Sequence, residues 1–312
     1  MEKMEKMKAV ICTKYGGPEV LKIAEVEKPK PKDNEVLIKI MASAVNSGDV
    51  RVRGLVVTGF LKIVMRFVLG FNKPRNPILG TVFSGIVEQT GKNAKNFSHG
   101  DEVFGLTGFK FGTHAEYITV SIKSIIAKKP VNATFEEAAA ILFGGQTAVY
   151  FLEKAKLSEK ENPKILIYGA TGSVGTAAIQ IAKYYNAQVT AVCSEDGQGL
   201  VTELGVDDVI VYNKEDFTKR DEKFDAVFDA VGKTSKKQCT PLLKEKGYYG
   251  TVGGLEFAVE RIEQIEFLSK LFENNNYKAV IDRVYSIDEI VDAYHYVDKG
   301  RKKGNVVLKI AE

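Results

Sequence analysis

One stretch of twelve residues limits this chain more than any other: KILIYGATGSVG, from Lys164 to Gly175. The apolar run Ile165 to Tyr168 reads as a buried strand. Gly169, Gly172 and Gly175 follow at intervals of three, and the residues after Thr176 have a helical composition. A strand that passes through a glycine turn into a helix is the setting a dinucleotide-binding fingerprint requires. Glycines let the backbone turn sharply and come close to a pyrophosphate, and the first turn of the helix offers N–H groups to the anion. The spacing alone is a weak signal, because many tight turns carry two or three glycines. The flanking strand and helix give it weight.

The segments downstream repeat the alternation. Strands are expected at Val189 to Cys193, Val209 to Tyr212, Phe224 to Gly232 and Gly247 to Gly253, with helices at Leu200 to Leu204 and Ser235 to Leu243. Alternating strands and helices imply a parallel, doubly wound α/β sheet. Upstream the pattern is different. Short strands at Lys8 to Cys12, Leu21 to Val26 and Glu35 to Val45, and others up to Val120, are separated by Gly and Pro turns, which predicts a small β-barrel. The residues from Asn46 on read as a loop entering a helix, with Asp49 in its first turn. Thr134 and Glu137 form a capping box that opens an Ala-rich helix, interrupted at Gly144-Gly145 and resumed from Gln146 to Lys156. The tail reads as a helix at Ile262 to Phe272, a strand-like Ala279 to Ile281, a helix opened by the Ser286/Glu289 capping box, and a closing strand at Asn305 to Ile310.

Composition removes several function classes. A length of 312 residues accommodates two domains, and a net charge of +4 favours neither nucleic acid nor a membrane surface. Three scattered cysteines (Cys12, Cys193, Cys239) give no disulfide framework, and with three histidines (His99, His114, His295) they give no zinc-ligand spacing, so no metal is expected. The opening residues, MEKMEKMK, carry no signal peptide, no apolar run is long enough to span a bilayer, and a reducing cytoplasm suits the cysteine count. Residues 51–75 stand apart, with six basic residues and no acidic ones among large apolar side chains. Two readings fit: a loop and short helix that lid an active site, or a patch for a membrane surface or an anionic substrate.

The second strand after the glycines ends at Cys193 and Ser194 instead of a carboxylate. No acid there repels a 2′-phosphate, which favours NADPH, although Glu195 and Asp196 follow and argue back towards NADH. Basic help could come from Arg301, Lys302 and Lys303. No nucleophile elbow is present and no Cys/His pair stands out. Hydride transfer needs neither, since a nicotinamide cofactor supplies the reactive atom.

Several motifs in order resemble the medium-chain dehydrogenase/reductase superfamily, in its zinc-free quinone oxidoreductase-like branch. They are Met7 to Val10 with Tyr15 to Leu21, Ala44 to Val50, Gly100 to Gly105, Ala138 to Ala148, Gly169 to Gly175, Asp229 to Gly232, Ile281 to Arg283 and Lys303 to Val307. The resemblance implies a GroES-like barrel as catalytic domain (residues 1–122 and 277–312) and an inserted Rossmann domain (123–276), with the active site in the cleft. Thr147, Gly172, Ser173, Val174, Ser194, Tyr212, Val231 and Asn305 would join Gly169 and Gly175 around the cofactor. Asn46 would hold the substrate carbonyl as the catalytic polar group, or serve as a loop-capping amide. Asp49, Phe143, Gly144 and Gln146 would line the pocket. Zinc-using relatives carry a Cys in the loop matched by 46–49 and a His after the Gly matched by Gly80; here Thr81 follows Gly80.

The implied reaction is NAD(P)H-dependent reduction of quinones or of the C=C bond of α,β-unsaturated carbonyls. Alternatives are an alcohol dehydrogenase-like or enoyl-thioester reductase of the same superfamily, or a non-catalytic NADPH-binding redox sensor. An enoyl-thioester reductase would need a tyrosine in the N-terminal loop, and residues 46–59 contain none. Two departures from the family pattern stand out. The segment after Gly253-Gly254 is short, which bears on whether a homodimer forms through the sheet, and Val82 stands where relatives often place an acid.

Overall fold

The computed structural model describes residues 5–56, 60–254 and 256–311, with the backbone alone at 60–62. Parts of three sequence expectations fall outside these residues: the first four residues of the chain, residues 57–59 of the basic segment, and Leu255 of the short segment. The chain forms two compact units, residues 1–142 with 281–312, and residues 143–280.

The first unit opens with an antiparallel hairpin, β1 (Lys6–Cys12) and β2 (Leu21–Glu27). Next come β3 (Glu35–Val45), helices α1 (Ser47–Gly54) and α2 (Phe60–Leu69), then β4 (Val82–Thr90), β5 (Glu102–Leu106), β6 (Tyr117–Ser121) and β7 (Ile125–Lys128). Helix α3 (Phe135–Lys154) runs from the first unit into the second. The second unit then contributes β8 (Lys164–Tyr168), α4 (Ser173–Tyr184), β9 (Gln188–Cys193), α5 (Gln198–Glu203), β10 (Asp208–Val211), β11 (Phe224–Asp229), the short α6 (Lys236–Cys239), β12 (Leu243–Thr251) and α7 (Ile262–Glu273). The chain returns to the first unit as β13 (Ile281–Ser286), α8 (Ile290–Asp298) and β14 (Asn305–Lys309).

The barrel sheet has the order β13-β14-β3-β4-β5-β7, with β6 also on β3. The long β3 pairs with three strands because β6 takes Glu35 to Lys39 and β14 takes Ala42 to Val45, while β4 runs along Val36 to Ser43 with register shifts after Leu37 and Ile40. Its alternating side chains, among them Val36, Ile38 and Ile40, enter a core shared with Phe83, Val103, Tyr294 and Leu308. The second unit is a five-stranded parallel sheet, β10-β9-β8-β11-β12. The order reverses direction beside β8, so the crevice of a doubly wound sheet opens where β8 and β11 end. Among the described residues no strand follows β12 before α7, which leaves β12 at the sheet edge.

The GroES-like barrel and Rossmann-like sheet expected from the sequence are both present, with three differences of detail. The units divide after Leu142 and Val280 rather than after 122 and 276, because β7 is a strand of the barrel sheet and pairs with β5. The helix expected from Ser235 to Leu243 is one α-helical turn followed by a 3-10 turn over Thr240–Leu242, where Pro241 stands. Gly144-Gly145 does not interrupt α3, which is continuous for twenty residues.

The glycines in α3 are there for proximity. A Cβ on Gly144 would lie 2.4 Å from the Ser173 carbonyl oxygen, and one on Gly145 would lie 2.7 Å from Leu268 Cδ1. Helix propensity alone predicts that Gly144→Ala adds about 1 kcal/mol of stability. Overpacking against a backbone carbonyl costs about 1–3 kcal/mol and should win. Urea denaturation should therefore find Gly144→Ala less stable than the parent, and a gain in stability would refute the close-approach account.

Candidate functional site

In the second unit the three glycines of the turn have three different tasks. Gly169 has φ of +76°, and a Cβ there would lie 2.5 Å from Val231 Cγ1, so turn geometry and the β11 end both require its small size. Gly175 presses α4 onto the turn, and a Cβ on it would lie 2.3 Å from the Gly169 carbonyl oxygen. Gly172 differs. Its missing Cβ would meet only the Gly169 oxygen, at 3.7 Å, so the space above it is open. Gly172 is also the N-cap of α4, and no side chain caps that helix. An open surface at an uncapped helix start, in front of the positive end of the macrodipole, is fitted to a pyrophosphate.

The other residues expected at the cofactor gather on this unit. Thr147 and Ser173 are almost fully buried where α3 meets the start of α4, and Thr147 Oγ1 donates to the Phe143 carbonyl at 2.8 Å. Val231 follows β11 and touches the Gly169 turn from the other side. Asp229 fixes that strand end. It is fully buried and accepts from the backbone N–H groups of Val231, Gly232 and Thr234 at 2.7–3.1 Å, and from the Thr234 and Thr251 hydroxyls.

At the end of β9, the Ser194 hydroxyl donates to Asp196, and Tyr212 N–H donates to the Cys193 carbonyl at 3.1 Å. Tyr212 stands about half exposed beside Tyr168, and both rings line an open cleft of about 350 Å³ with Lys214 and Phe217. Lys214 is a residue that sequence reasoning missed. Its Nζ pairs with Glu195 Oε1 at 2.5 Å, which brings a cation next to Ser194 and neutralises one of the acids that argued for NADH. Its position two residues past Tyr212 could have revealed it once β9 and β10 were known to be neighbours. Arg301 to Lys303 belong to the first unit, where Lys302 Nζ donates to the Gly304 carbonyl.

Gln146 is buried, and its amide donates to the Val259 carbonyl at 3.0 Å and to Gln264 Oε1 at 3.1 Å. Both amide hydrogens are spent tying the segment before α7 to α3. Phe143 is half-buried and Gly144 is buried against Ser173.

In the first unit Asn46 is the N-cap of α1. Its Oδ1 accepts from Gly48 N–H (2.8 Å) and Asp49 N–H (3.1 Å), while Asn46 N–H donates to Asp49 Oδ2 (2.9 Å). This is a capping box, with the loop-capping role fully developed. The side chain does more than cap, since Nδ2 donates one hydrogen to Thr81 Oγ1 at 2.9 Å and retains a second. Asn305 begins β14, and because Val306 pairs with Val45, Asn305 and Asn46 stand next in register at one end of those strands.

Asn46 and Thr81 thus present an amide and a hydroxyl bonded to each other. No group of three His, Cys, Asp or Glu among the described residues could hold a metal ion. His114 is a core histidine. It is buried, its Nε2 lies 3.2 Å from the Ala44 carbonyl, and burial lowers its pKa to about 4, so it is neutral near pH 7. Among the described residues, Asn46, Thr81 and His114 do not make a zinc-ligand set.

Asp49 is fully buried, and its Oδ1 has no hydrogen-bond partner. Burial raises its pKa from 3.8 to about 7; the Asn46 amide and, more weakly, the nearby Gly80 amide act in the opposite direction. A carboxyl with a raised folded-state pKa binds its proton more tightly in the folded chain. Its contribution to stability is complete below about pH 4 and is lost as the pH rises to about 7. Asp49→Asn should remove this component. Urea denaturation between pH 4.5 and 7.5 should show the parent losing stability relative to the variant as pH rises. A constant difference across that range would contradict the burial account.

The comparisons with known proteins agree with this geometry. Residues 32–130 match the family described as alcohol dehydrogenase GroES-like domain, and residues 204–308 match one described as zinc-binding dehydrogenase. The chain is 36% identical to the 2-methylene-furan-3-one reductase of Solanum lycopersicum, over 97% of this chain and 79% of that one. It is 31% identical to an Arabidopsis thaliana chloroplastic NADPH-dependent alkenal/one oxidoreductase, over 97% and 80%. Among solved structures, the quinone oxidoreductase from Coxiella burnetii superposes with a TM-score of 0.86 at 28% identity, covering 98% of this chain and all of that one. The chain belongs to the medium-chain dehydrogenase/reductase superfamily, in its quinone oxidoreductase-like branch.

Proposed function

We propose that this protein is a zinc-independent, NAD(P)H-dependent oxidoreductase that reduces quinones or the C=C bond of α,β-unsaturated carbonyls. The observation that carries the reading is the open, uncapped start of α4 at Gly172, in a chain whose relatives are named as enone, alkenal and quinone reductases. The cofactor, when bound, supplies a hydride, two electrons and one hydrogen, to the electron-poor carbon of the substrate. A proton from water then completes the saturated carbonyl or the hydroquinone.

The residues of the chain bind, orient and stabilise charge. The first amides of α4 would hold the pyrophosphate, at a turn shaped by Gly169 and Val231. Thr147, Ser173, Val174, Ser194, Tyr212 and Asn305 are assigned to the cofactor as well, and Asp49, Phe143 and Gly144 to the substrate pocket. Gln146 supports that pocket through Gln264. The remaining amide hydrogen of Asn46 donates to the substrate carbonyl oxygen as negative charge develops there, which is the largest electrostatic contribution this loop can make. Ser194 with Lys214 favours NADPH over NADH, because a hydroxyl and a cation accept a 2′-phosphate that a carboxylate would repel. The reading extends to a homodimer and to the cytoplasm, the latter because none of the three cysteines forms a disulfide.

A steady-state panel of quinones and enones with NADPH and NADH in parallel tests the whole. Tight NADPH binding without turnover of any member would replace the enzyme with a redox sensor. Asn46→Ser keeps an oxygen to cap α1 and removes the amide, so kcat should fall about 100-fold with NADPH affinity unchanged. A small effect on kcat would return Asn46 to a capping role only. Ser194→Asp should shift the NADPH/NADH preference towards NADH, and Lys214→Ala should weaken NADPH more than NADH in fluorescence titrations. Unchanged ratios in both would remove this strand end from the cofactor site.

A further inference from the structure

Helix α2 carries apolar side chains on two faces. Met65 and Leu69 face inward, Leu69 within the core of the first unit and Met65 packed against it. Ile63, Val64, Phe67 and Val68 face outward, with exposures of 54%, 37%, 58% and 56%. At 100° per residue they cover about 140° of the helix circumference, a continuous stripe. Phe71 extends it, since its ring meets Phe67 edge-on at 4.9 Å and is itself 53% exposed.

The helix is docked. Arg66 Nη1 donates to the Phe71 carbonyl at 3.0 Å, Arg75 Nη2 to the Phe67 carbonyl at 2.7 Å, and Tyr15 Oη to the Gly70 carbonyl at 2.8 Å. These bonds close the helix C-terminus and set two guanidinium groups beside the exposed rings. Lys73 is exposed in the same turn. No acidic residue occurs between Asp49 and Glu88.

We propose that this face is a peripheral membrane-binding surface for an anionic phospholipid bilayer. An outward apolar stripe of Ile, Val and Phe enters the boundary between headgroups and acyl chains, and the basic residues beside it meet the phosphates. Charge decides between this and the other occupants. A second copy docked face to face would set Arg66, Lys73 and Arg75 against the same residues, like charge against like. Met65 and Leu69 take the inward positions, so the outward stripe is not used in the core of the first unit, and a lid role is separated by the kinetic arm of the test below. No helix among the described residues is long and apolar enough to cross a membrane, so attachment through this face is adsorption. The inference is independent of the hydride-transfer reading, because its main readout requires no turnover.

The test is co-sedimentation of the full chain with vesicles of phosphatidylcholine alone or with about 30% phosphatidylglycerol, in roughly 0.1 M and 0.5 M salt. The parent should bind the anionic vesicles at low salt, at least about tenfold more than the neutral ones, and should be released at high salt. The double substitution Phe67→Ser, Val68→Ser should lower the partition coefficient at least about tenfold, and Lys73→Glu at least about fivefold, with thermal melting confirming that both fold. A parent that stays in the supernatant with anionic vesicles overturns the proposal. So does a parent dimer in analytical ultracentrifugation that the double serine variant dissolves, which would give the face to a second copy. A double variant with unchanged partition and a raised KM for a water-soluble quinone would make the face a lid and would also overturn it.

Discussion

The approach of Gly175 to the carbonyl of Gly169 sets the geometry on which the second unit depends. With 2.3 Å to spare for a Cβ, no side chain fits, and the first turn of α4 can lie directly on the strand that precedes it. That contact aims the free end of α4 across Gly172. It also leaves Gly169 in a left-handed conformation against Val231, so the end of β11 is drawn to the same point. Asp229 then holds the end of β11 with its hydrogen bonds. The contacts at Gly169 and Gly175 leave no room for a Cβ, and the side chains of Val231 and Asp229 brace the turn from the end of β11.

The first unit reaches comparable rigidity with side chains. Asn46 caps α1, Asp49 returns the cap, and Thr81 anchors the Asn46 amide from the start of β4. The arrangement leaves one carboxylate oxygen buried and unpaired, an arrangement that costs about 1–3 kcal/mol in typical cases. The protein tolerates this in a loop where an amide must be held at a fixed angle. A polar loop bonded to itself can offer a donor to a ligand without rearranging, which is the condition for stabilising charge that appears only during a reaction.

Much of this was legible in the sequence because it is local. The glycine turn, the capping boxes at Thr134/Glu137 and Ser286/Glu289, and the change from strand to helix periodicity all depend on residues within a few positions of each other. What could not be read depends on partners distant in the chain. Gly144-Gly145 looks like a helix breaker until Ser173 and Leu268 are seen against it. Lys214 looks like one solvated charge among many until β10 lies beside β9 and sets it next to Glu195. Nothing near Gln146 in the sequence announces that Gln264, more than a hundred residues on, accepts its hydrogen bond. The pairing of β7 with β5 likewise leaves no local mark in the sequence.

The sheet order of the first unit has a consequence for how the molecule is made. Strand β14 follows the whole second unit in the chain, yet it lies inside the sheet of the first, between β13 and β3. During synthesis β3 leaves the ribosome some 260 residues before the neighbour that must cover its edge. Meanwhile all five strands of the second unit have emerged and can pair. The sheet of the first unit is therefore completed only after all five strands of the second unit have emerged, and until β14 arrives one end of β3 keeps an open edge, the kind most prone to pair with another chain.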